Sequence, residues 1–293
     1  MADLVSGYNI VEKLGVGARS QIYKVAAPGT GEIFALKRVL READEDARYL
    51  EQAITEYDVS SRLDHPYLRR SYEIKRIRSW MRLVEVQVVM EFVDGVSLER
   101  SRPELIAQAV DLFLKLAEGL QALHESGYVH ADIKPNNVLL TADGNVKIVD
   151  FGQACPIGHR KPRIQGTPDY IAPEQVERRS LTPQTDIFNL GATLYWVLTN
   201  RPYPTLISKK GRHDTSLVKP VPPPHSINPA VSTGLSRLVM DACAYRRSDR
   251  PHDMKQVIQK LDTARHLLAK RRASKATTGP SKADAGDEGE GRP

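Results

Sequence analysis

Apolar and polar residues alternate through residues 8–40, with turn-forming residues at 28–31. A period of two places successive side chains on opposite faces of a strand, so this segment predicts three antiparallel strands. Residues 82–92 are also strongly strand-like. Between these strands, residues 45–63 have helical spacing and stop before Pro66, which cannot continue a helix. The N-terminal part of the chain is thus predicted to be mostly sheet, with one helix.

A helical period replaces the strand period after residue 95. Leucines and alanines recur three and four residues apart between 103 and 127, which predicts a long buried helix. Further helices are predicted at 186–199, 233–245 and 254–270. The chain is therefore predicted to be α+β, with a sheet-rich part and a helix-rich part that meet near residues 92–95.

The last residues, 271–293, contain few large apolar side chains and many Ala, Gly, Ser, Lys and acidic residues. Such a segment cannot bury enough apolar surface to offset the entropy lost on ordering, so we expect a disordered tail. The chain as a whole has 293 residues and is 41% hydrophobic. This is enough for one large domain or two lobes around a sizeable core.

Composition excludes several classes of protein. No apolar stretch approaches the roughly 20 residues of a membrane span, and the N-terminus lacks a basic segment followed by an apolar one. Cys155 and Cys243 are far apart and form no metal-binding pattern, so we expect two free thiols. The net charge of +6 comes without an aromatic-interleaved basic stripe, so we expect no nucleic-acid partner. A cytoplasmic location is the expectation.

Two segments of the N-terminal part could bind phosphate. Gly15 and Gly17 lie between two predicted strands, where backbone N–H groups could approach phosphate oxygens, although a plain hairpin turn is the alternative. Lys37 lies in a predicted strand and could be a surface lysine. Paired with a carboxylate of the following helix, its ammonium could instead hold a polyphosphate. Glu56 and Glu51 are the two candidate carboxylates of that helix.

Three oxygen-bearing side chains lie in two neighbouring turns in the middle of the chain. Asp132 and Asn137 belong to HADIKPNN, and Asp150 follows a buried strand in KIVDFG. Oxygen ligands of this kind suit Mg²⁺, which bridges substrate phosphates. Each residue alone is common in turns, but the joint occurrence after the glycine loop and Lys37 indicates a phosphate and metal site.

Ordered motifs run through most of the chain, and they resemble the eukaryotic-like (Hanks-type) serine/threonine protein kinase family, with phrases similar to its bacterial members. The matching segments are GVGARSQIYKV, FALK, HADIKPNN, DFG, GTPDYIAPE, TDIFNLGATLY and SDRP. The resemblance implies a kinase domain over 8–268. A small antiparallel sheet lobe would occupy about 8–92, a larger helical lobe about 96–268, and an ATP cleft would lie between them.

The resemblance also implies the reaction and its residues. The chain would transfer the γ-phosphate of ATP to Ser or Thr hydroxyls of protein substrates. Lys37 would contact the α- and β-phosphates while paired with Glu56. Asp132 would accept or orient the proton of the substrate hydroxyl, and Lys134 would steady the γ-phosphate. The Asp-x-Lys-x-x-Asn form of this loop, together with Thr167 in GTPDY, resembles family members that are specific for serine and threonine.

By the same resemblance, Asn137 and Asp150 would hold Mg²⁺, or Mn²⁺ in its place. Met90 would be the gatekeeper beside the adenine, and Glu91 to Val93 the hinge that reads it. The remaining ATP-binding residues implied by the family form the glycine-rich loop and an apolar sandwich: Leu14, Gly15, Val16, Gly17, Ser20, Ile22, Ala35 and Leu139. Structural roles would fall to Asp186, below the catalytic loop, and to a pair between Glu174 and Arg250.

The chain departs from the family at Ala131, where many members carry arginine. That arginine pairs with a phosphate on the activation loop and orders the loop. Here residues 153–166 contain no Ser, Thr or Tyr, so both the phosphate acceptor and its partner are missing. We therefore predict that activity does not require activation-loop phosphorylation. The basic residues of this loop, His159 to Arg163, could dock on carboxylates or attract an acidic substrate.

A second basic segment, residues 69–79, is interpreted as a solvated face, with a docking patch for an acidic partner as the alternative. Two other functions remain as alternatives to an active protein kinase. A pseudokinase scaffold is disfavoured because the catalytic residue types are all present. A kinase-fold small-molecule phosphotransferase is disfavoured by GTPDYIAPE, which in protein kinases forms the platform for a peptide substrate.

Overall fold

An antiparallel sheet forms the N-terminal part of the protein, as predicted. The computed structural model describes residues 4–5, 7–17, 19–207 and 220–277. The six strands lie side by side in the order β1-β2-β3-β4-β6-β5. Their bounds are β1 (Leu4–Val5), β2 (Tyr8–Val16), β3 (Ser20–Ala26), β4 (Ile33–Leu40), β5 (Ser71–Ser79) and β6 (Arg82–Glu91).

One helix, α1 (Ala47–Ser60), packs on one face of this sheet. Alternation along β6 decides which side chains meet it, because successive residues of a strand point to opposite faces. Val88 and Met90 pack with Leu50 of α1, whereas Val89 packs on the other face of the sheet. The sheet and the helix thus share a small core of their own, which positions the side chains of α1 against β4.

Helices and short strands form the C-terminal part. The helices are α2 (Ile106–Glu125), α3 (Pro173–Val176), α4 (Pro183–Thr199), α5 (Pro224–Ile227), α6 (Thr233–Ala242) and α7 (Met254–Thr277). The strands are β7 (Gly95–Ser97), β8 (Tyr128–Val129), β9 (Val138–Thr141), β10 (Val146–Ile148) and β11 (Cys155–Pro156). They form a three-stranded sheet in the order β10-β9-β7 and a separate β11-β8 pair.

Helix α2 lies in the core of this part. Phe113, Leu116 and Leu120 are fully buried in it, together with residues of α4, α6 and α7. A helix that is apolar over most of its surface must be covered on several sides, which explains its central place. These findings confirm the α+β, two-lobed kinase fold that the sequence predicted.

The chain crossing after β6 and a β-bridge are among the connections between the two parts. Strand β6 ends at Glu91 and β7 begins at Gly95, so the chain crosses near the predicted position. Gly95 permits the close approach to β9, because a Cβ there would lie 2.6 Å from the carbonyl oxygen of Leu140. The second connection was not predicted: Leu68 forms a parallel bridge with Ile148 of β10.

The last helix extends further than predicted. We expected it to end at residue 270 and a disordered tail to begin at 271, but α7 continues to Thr277. Residues 271–277 read RRASKAT, and Ala, Arg and Lys are good helix formers, which favours continuation of the helix. The rest of the predicted tail, 278–293, lies outside the described residues.

Two further expectations concern the whole chain. Cys155 and Cys243 are free and buried, as predicted, and burial raises the pKa of the Cys155 thiol to about 11. Within the part of the chain that the structure describes, no helix is both long enough and apolar enough to cross a membrane.

Two helical glycines give a paired test of the packing. A Cβ on Gly191 of α4 would lie 2.7 Å from that of Ala242, whereas a Cβ on Gly234 of α6 would meet nothing within 4 Å. Replacing a helical glycine by alanine normally stabilises by up to about 1 kcal/mol, and overpacking a core costs about 1–3 kcal/mol. We therefore expect Gly191→Ala to lower the midpoint of thermal unfolding and Gly234→Ala to leave it unchanged or raise it. A Gly191→Ala protein as stable as wild type would contradict this packing.

Candidate active site

The buried carboxylate of Asp186, at the start of α4, holds the loop that follows β8. Its two oxygens accept hydrogen bonds from the main-chain N–H groups of His130 (2.8 Å) and Ala131 (2.7 Å). The ring of His124 lies 2.8 Å from the same carboxylate. Burial alone would raise the pKa of Asp186, but the hydrogen bonds to His124 and the main chain lower it below its usual value. An ionised carboxylate thus fixes this loop, in which Ala131 has a left-handed backbone with a φ of 61°.

Asp132, the predicted catalytic residue, is held at both carboxylate oxygens. Thr167 donates its hydroxyl to Oδ1 at 2.8 Å, and Lys134 donates from Nζ to Oδ2 at 2.7 Å. Lys134 also lies 2.8 Å from the Thr167 hydroxyl oxygen, which closes a triangle of three polar groups. The structure thus brings the carboxylate, an ammonium and a hydroxyl to one point of the loop.

Lys37 and Glu56 form a buried ion pair between β4 and α1. Nζ of Lys37 donates to Oε2 of Glu56 at 2.6 Å, and the Glu56 side chain is only 1% exposed. Burial would lower the pKa of Lys37, but the charges of Glu56 and Asp150 outweigh it and raise the pKa. Glu51, the competing carboxylate, lies exposed on α1. The pair thus keeps a charged ammonium at the edge of the cleft.

Asp150 faces the cleft close to this ion pair. Its Oδ1 atom lies 3.7 Å from Nζ of Lys37, and 44% of the side chain is accessible. Enclosure in the cleft would raise the pKa of the Asp150 carboxyl, but the charges of Lys37 and Lys134 lower it to about 2. The group is therefore a carboxylate at neutral pH.

The predicted metal ligands fit a hard cation. The amide nitrogen of Asn137 donates to the Asp132 carbonyl oxygen at 2.9 Å, so its amide oxygen is left for another partner. The N–H of Val149 donates to the Asn137 carbonyl at 2.9 Å, which joins the Asn137 turn to the Asp150 turn. An amide oxygen and a carboxylate on adjoining turns form the donor set that Mg²⁺ prefers. The residues present therefore suit Mg²⁺ or Mn²⁺.

Strand register places the predicted adenine-binding residues on the face of the sheet that carries Lys37. Ile22 pairs with Lys37, and Ala35 pairs with Met90. Residues directly opposite each other in an antiparallel sheet share a face, as do residues two apart on one strand. Ala35 and Met90 are buried. These apolar side chains thus line the same side of the sheet as the ammonium.

The glycine-rich loop connects β2 and β3, and the hinge connects β6 and β7. Gly15 pairs with Ile22 across β2 and β3, and the N–H of Gly17 donates to the Ser20 carbonyl at 2.7 Å. Leu14 and Val16 are exposed on the loop at 43% and 71%. At the hinge, the side chain of Glu91 binds Lys147 of β10 at 2.6 Å, while Val93 follows in the connection and Leu139 lies in β9.

One residue of the site was misinterpreted. We took residues 69–79 as a solvated face, but Arg69 is only 9% exposed and donates to Oε1 of Glu56 at 2.6 Å. The interpretation is therefore wrong for Arg69. The charge of Arg69 was visible in the sequence, but its partner lies thirteen residues earlier on another element. No local pattern marks that pairing.

Ala131 packs in a small apolar cluster under the activation loop. Its side chain is 1% exposed and contacts Val129, Cys155 and Leu181. The loop is tied to itself: Lys161 binds the main-chain and side-chain oxygens of Gln153, rather than the carboxylates that we had considered. Apolar packing and hydrogen bonds from the Lys161 ammonium to uncharged oxygens thus hold this loop in the described structure.

The segment after the activation loop is fixed by a buried ion pair. Both guanidinium nitrogens of Arg250 donate to Glu174, at 2.8 and 2.9 Å. Gln175, the next residue, donates to the carbonyl oxygen of Ala131 at 2.7 Å. The predicted pair is therefore present and fixes Glu174, the last residue of GTPDYIAPE, while Gln175 connects this segment to the catalytic loop.

Comparison with known proteins agrees with this geometry. A model of the protein kinase domain matches residues 8–261, which is most of the chain. The chain therefore belongs to the protein kinase family.

Similar proteins include kinases of bacteria and plants. The probable serine/threonine-protein kinase PknB of Lactococcus lactis is 25% identical over 276 residues, which are 89% of this chain and 42% of that protein. Serine/threonine-protein kinase AtPK2/AtPK19 of Arabidopsis thaliana is 27% identical over 226 residues, 73% of this chain and 45% of that protein. Serine/threonine-protein kinase Pkn1 of Myxococcus xanthus is 36% identical over 177 residues, 56% of this chain and 25% of that protein. The chain spans less than half the length of each of these relatives.

The hydroxyl of Thr167 gives a test of the triangle around Asp132. Thr167→Val removes the hydroxyl at nearly constant volume and takes one partner from both Asp132 and Lys134. Since a hydrogen bond to a charged group contributes about 1.5–3 kcal/mol, we expect kcat for phosphate transfer to fall about tenfold or more. Thr167→Ser keeps the hydroxyl and serves as the control. Equal kcat values for Thr167→Val and wild type would show that the triangle does not orient Asp132.

Proposed function

We propose that this chain is an active serine/threonine protein kinase, which transfers the γ-phosphate of ATP to Ser and Thr hydroxyls of protein substrates. The observation that carries the proposal is the position of Asp132 between Thr167 and Lys134, on a loop whose Asn137 turn is joined to the Asp150 turn by a main-chain hydrogen bond. Phosphate transfer needs positioning and neutralisation of charge more than covalent chemistry, and these groups supply both.

ATP would lie between the sheet and the catalytic loop. Adenine would lie against the face of the sheet that carries Ile22, Ala35 and Met90, and Lys37 on the same face would meet the phosphates. The ammonium of Lys37 is kept charged and oriented by Glu56 at 2.6 Å. Asn137 and Asp150 would hold Mg²⁺, which neutralises phosphate charge when bound.

The transfer itself would run through Asp132. The hydroxyl oxygen of the substrate attacks the γ-phosphorus, a new O–P bond forms, and the bond to the β-phosphate oxygen breaks. The proton of the hydroxyl passes to the carboxylate of Asp132. Lys134, 2.7 Å from that carboxylate, is near enough to stabilise negative charge on the moving phosphoryl group. Thr167 keeps the carboxylate facing the substrate.

We further propose that the kinase acts without phosphorylation of its activation loop. The apolar cluster around Ala131 fills the place where many relatives have an arginine, and residues 153–166 offer no hydroxyl acceptor.

The free, buried thiols of Cys155 and Cys243 fit a reducing compartment, so we place the kinase in the cytoplasm.

Kinase activity is tested with ATP, Mg²⁺ and generic protein substrates. We expect Asp132→Asn to lower phosphate incorporation about 10²–10⁴-fold, the usual contribution of a positioned acid–base group. Asp64→Asn, at a side chain 93% exposed and outside the cleft, is the matched control and should behave as wild type. Equal incorporation by Asp132→Asn and wild type would overturn the catalytic assignment. Transfer to small molecules alone would favour the phosphotransferase alternative.

Independence from phosphorylation is tested with protein produced together with a phosphatase and shown by intact mass to carry no phosphate. We expect its kcat to match that of untreated protein. Activity that appears only after phosphate is installed within 153–166, or on Thr167, would refute this part of the proposal.

A further inference from the structure

The carboxylate of Glu56 is shared by two cations. Lys37 of β4 donates to Oε2 and Arg69 donates to Oε1, each at 2.6 Å. Glu56 is almost completely buried, and Arg69 is nearly so. A buried carboxylate is costly unless both of its oxygens have partners, so Arg69 completes the coordination that Lys37 begins.

Arg69 is also tied to the strand that leads to Asp150. Its main-chain N–H donates to the carbonyl oxygen of Ile148 at 3.0 Å, next to the bridge between Leu68 and Ile148. Ile148 is the last residue of β10, two positions before Asp150. Arg69 therefore contacts α1 through its side chain and the Asp150 turn through its main chain. A single residue thus joins α1 to the Asp150 turn.

Two cations and two carboxylates, including Glu56, lie around this point, so their formal charges cancel. Lys37 and Arg69 are positive, Glu56 and Asp150 are negative, and Lys37 lies between the two carboxylates at 2.6 and 3.7 Å. Without Arg69, one ammonium would face two carboxylates in a largely enclosed place. The second cation thus gives the inward-facing carboxylate of Glu56 a partner at each oxygen, while Lys37 remains within reach of Asp150 and of an incoming phosphate.

The end of α1 is held by a parallel contact. The hydroxyl of Ser60 lies 2.6 Å from that of Ser71, two residues after Arg69 on β5, and both are buried. A rotation of α1 that withdrew Glu56 would leave the guanidinium of Arg69 buried without its carboxylate and would strain the Ser60 contact. Leaving one partner of a buried pair alone is strongly unfavourable.

We propose that Arg69 is a positioning residue that holds α1 and Glu56 in the phosphate-binding arrangement, and so supplies the ordering that many relatives obtain from a phosphorylated activation loop. The proposal rests on the proposed kinase function for its consequence on rate. Its structural part, the restraint on α1, stands independently of activity.

The test compares Arg69→Met, Arg69→Lys and Arg70→Met in unphosphorylated full-length protein. Met removes the charge but keeps an unbranched chain, and Lys restores a charge without the planar fork. Arg70 is the neighbouring arginine, more exposed and 3.7 Å from Asp64, so Arg70→Met is the matched control. Four quantities are measured: amide hydrogen exchange of residues 47–60 without nucleotide, kcat, KM for ATP, and the midpoint of thermal unfolding.

For Arg69→Met we expect exchange in α1 to become about tenfold faster or more, and kcat to fall by a similar factor, because a charge-assisted hydrogen bond is lost. Arg69→Lys should recover part of both effects, and Arg70→Met should match wild type. The thermal midpoint should fall, because Glu56 keeps Lys37 but loses the partner of its buried Oε1 atom, so exchange and kcat are compared at a temperature well below the midpoint of every variant.

Two results would overturn the proposal. Wild-type exchange and kcat in Arg69→Met would show that Arg69 does not restrain α1. Faster exchange spread evenly over the described helices, rather than concentrated in residues 47–60, would show a merely structural role. If Arg69→Met fails to fold, Arg69→Gln, which keeps a neutral donor, is measured in the same way and judged by the same two results. A wild-type protein without kinase activity would refute the proposed function, while hydrogen exchange would still judge Arg69.

Discussion

The buried carboxylate of Glu56 is the interaction on which the arrangement of the cleft depends. It lies on α1, yet its two partners come from β4 and from the segment before β5. A carboxylate that is 1% exposed is stable only where opposite charges and hydrogen-bond donors surround it. The position of the helix is therefore coupled to the position of the lysine that would hold ATP. Through Arg69, the same carboxylate is connected to the strand that presents Asp150.

A second buried carboxylate acts in the helical part of the protein. Asp186 accepts two main-chain N–H groups of the catalytic loop and so determines where Asp132 lies. The two carboxylates thus order the two sides of the cleft by the same physical means. The bridge between Leu68 and Ile148 joins these sides without any contribution from the activation loop. This explains how an active arrangement could form although Ala131 replaces the arginine of many relatives.

Much of the fold could be predicted from local patterns. Alternation predicted four of the six described strands of the N-terminal sheet, β2, β3, β4 and β6, and the leucine spacing of residues 103–127 predicted the helix that became α2. The motifs identified Lys37, Asp132 and Asp150 as candidates because these residues occur in the same order along the chain as in the family that the sequence resembles. The structure brings their side chains to one cleft, while their roles in binding and transfer remain our proposal.

What could not be predicted depends on tertiary contacts or on weak local preferences. The burial of Arg69 follows from the meeting of α1 with the segment before β5, and its sequence neighbourhood is basic and otherwise exposed. The apolar cluster around Ala131 brings together residues from three separate segments. The extension of α7 to Thr277 reflects helix propensity. Our prediction relied on the low apolar content of this segment and therefore ended the helix too early.

The central claim is that the cleft is assembled without a phosphate. Its most direct test is a crystal structure of the fully dephosphorylated protein with a non-hydrolysable ATP analogue and Mg²⁺. We expect the Glu56 carboxylate within hydrogen-bond distance, about 3 Å, of both Lys37 and Arg69. A structure in which α1 has turned outward, with Glu56 separated from both cations, would contradict the account.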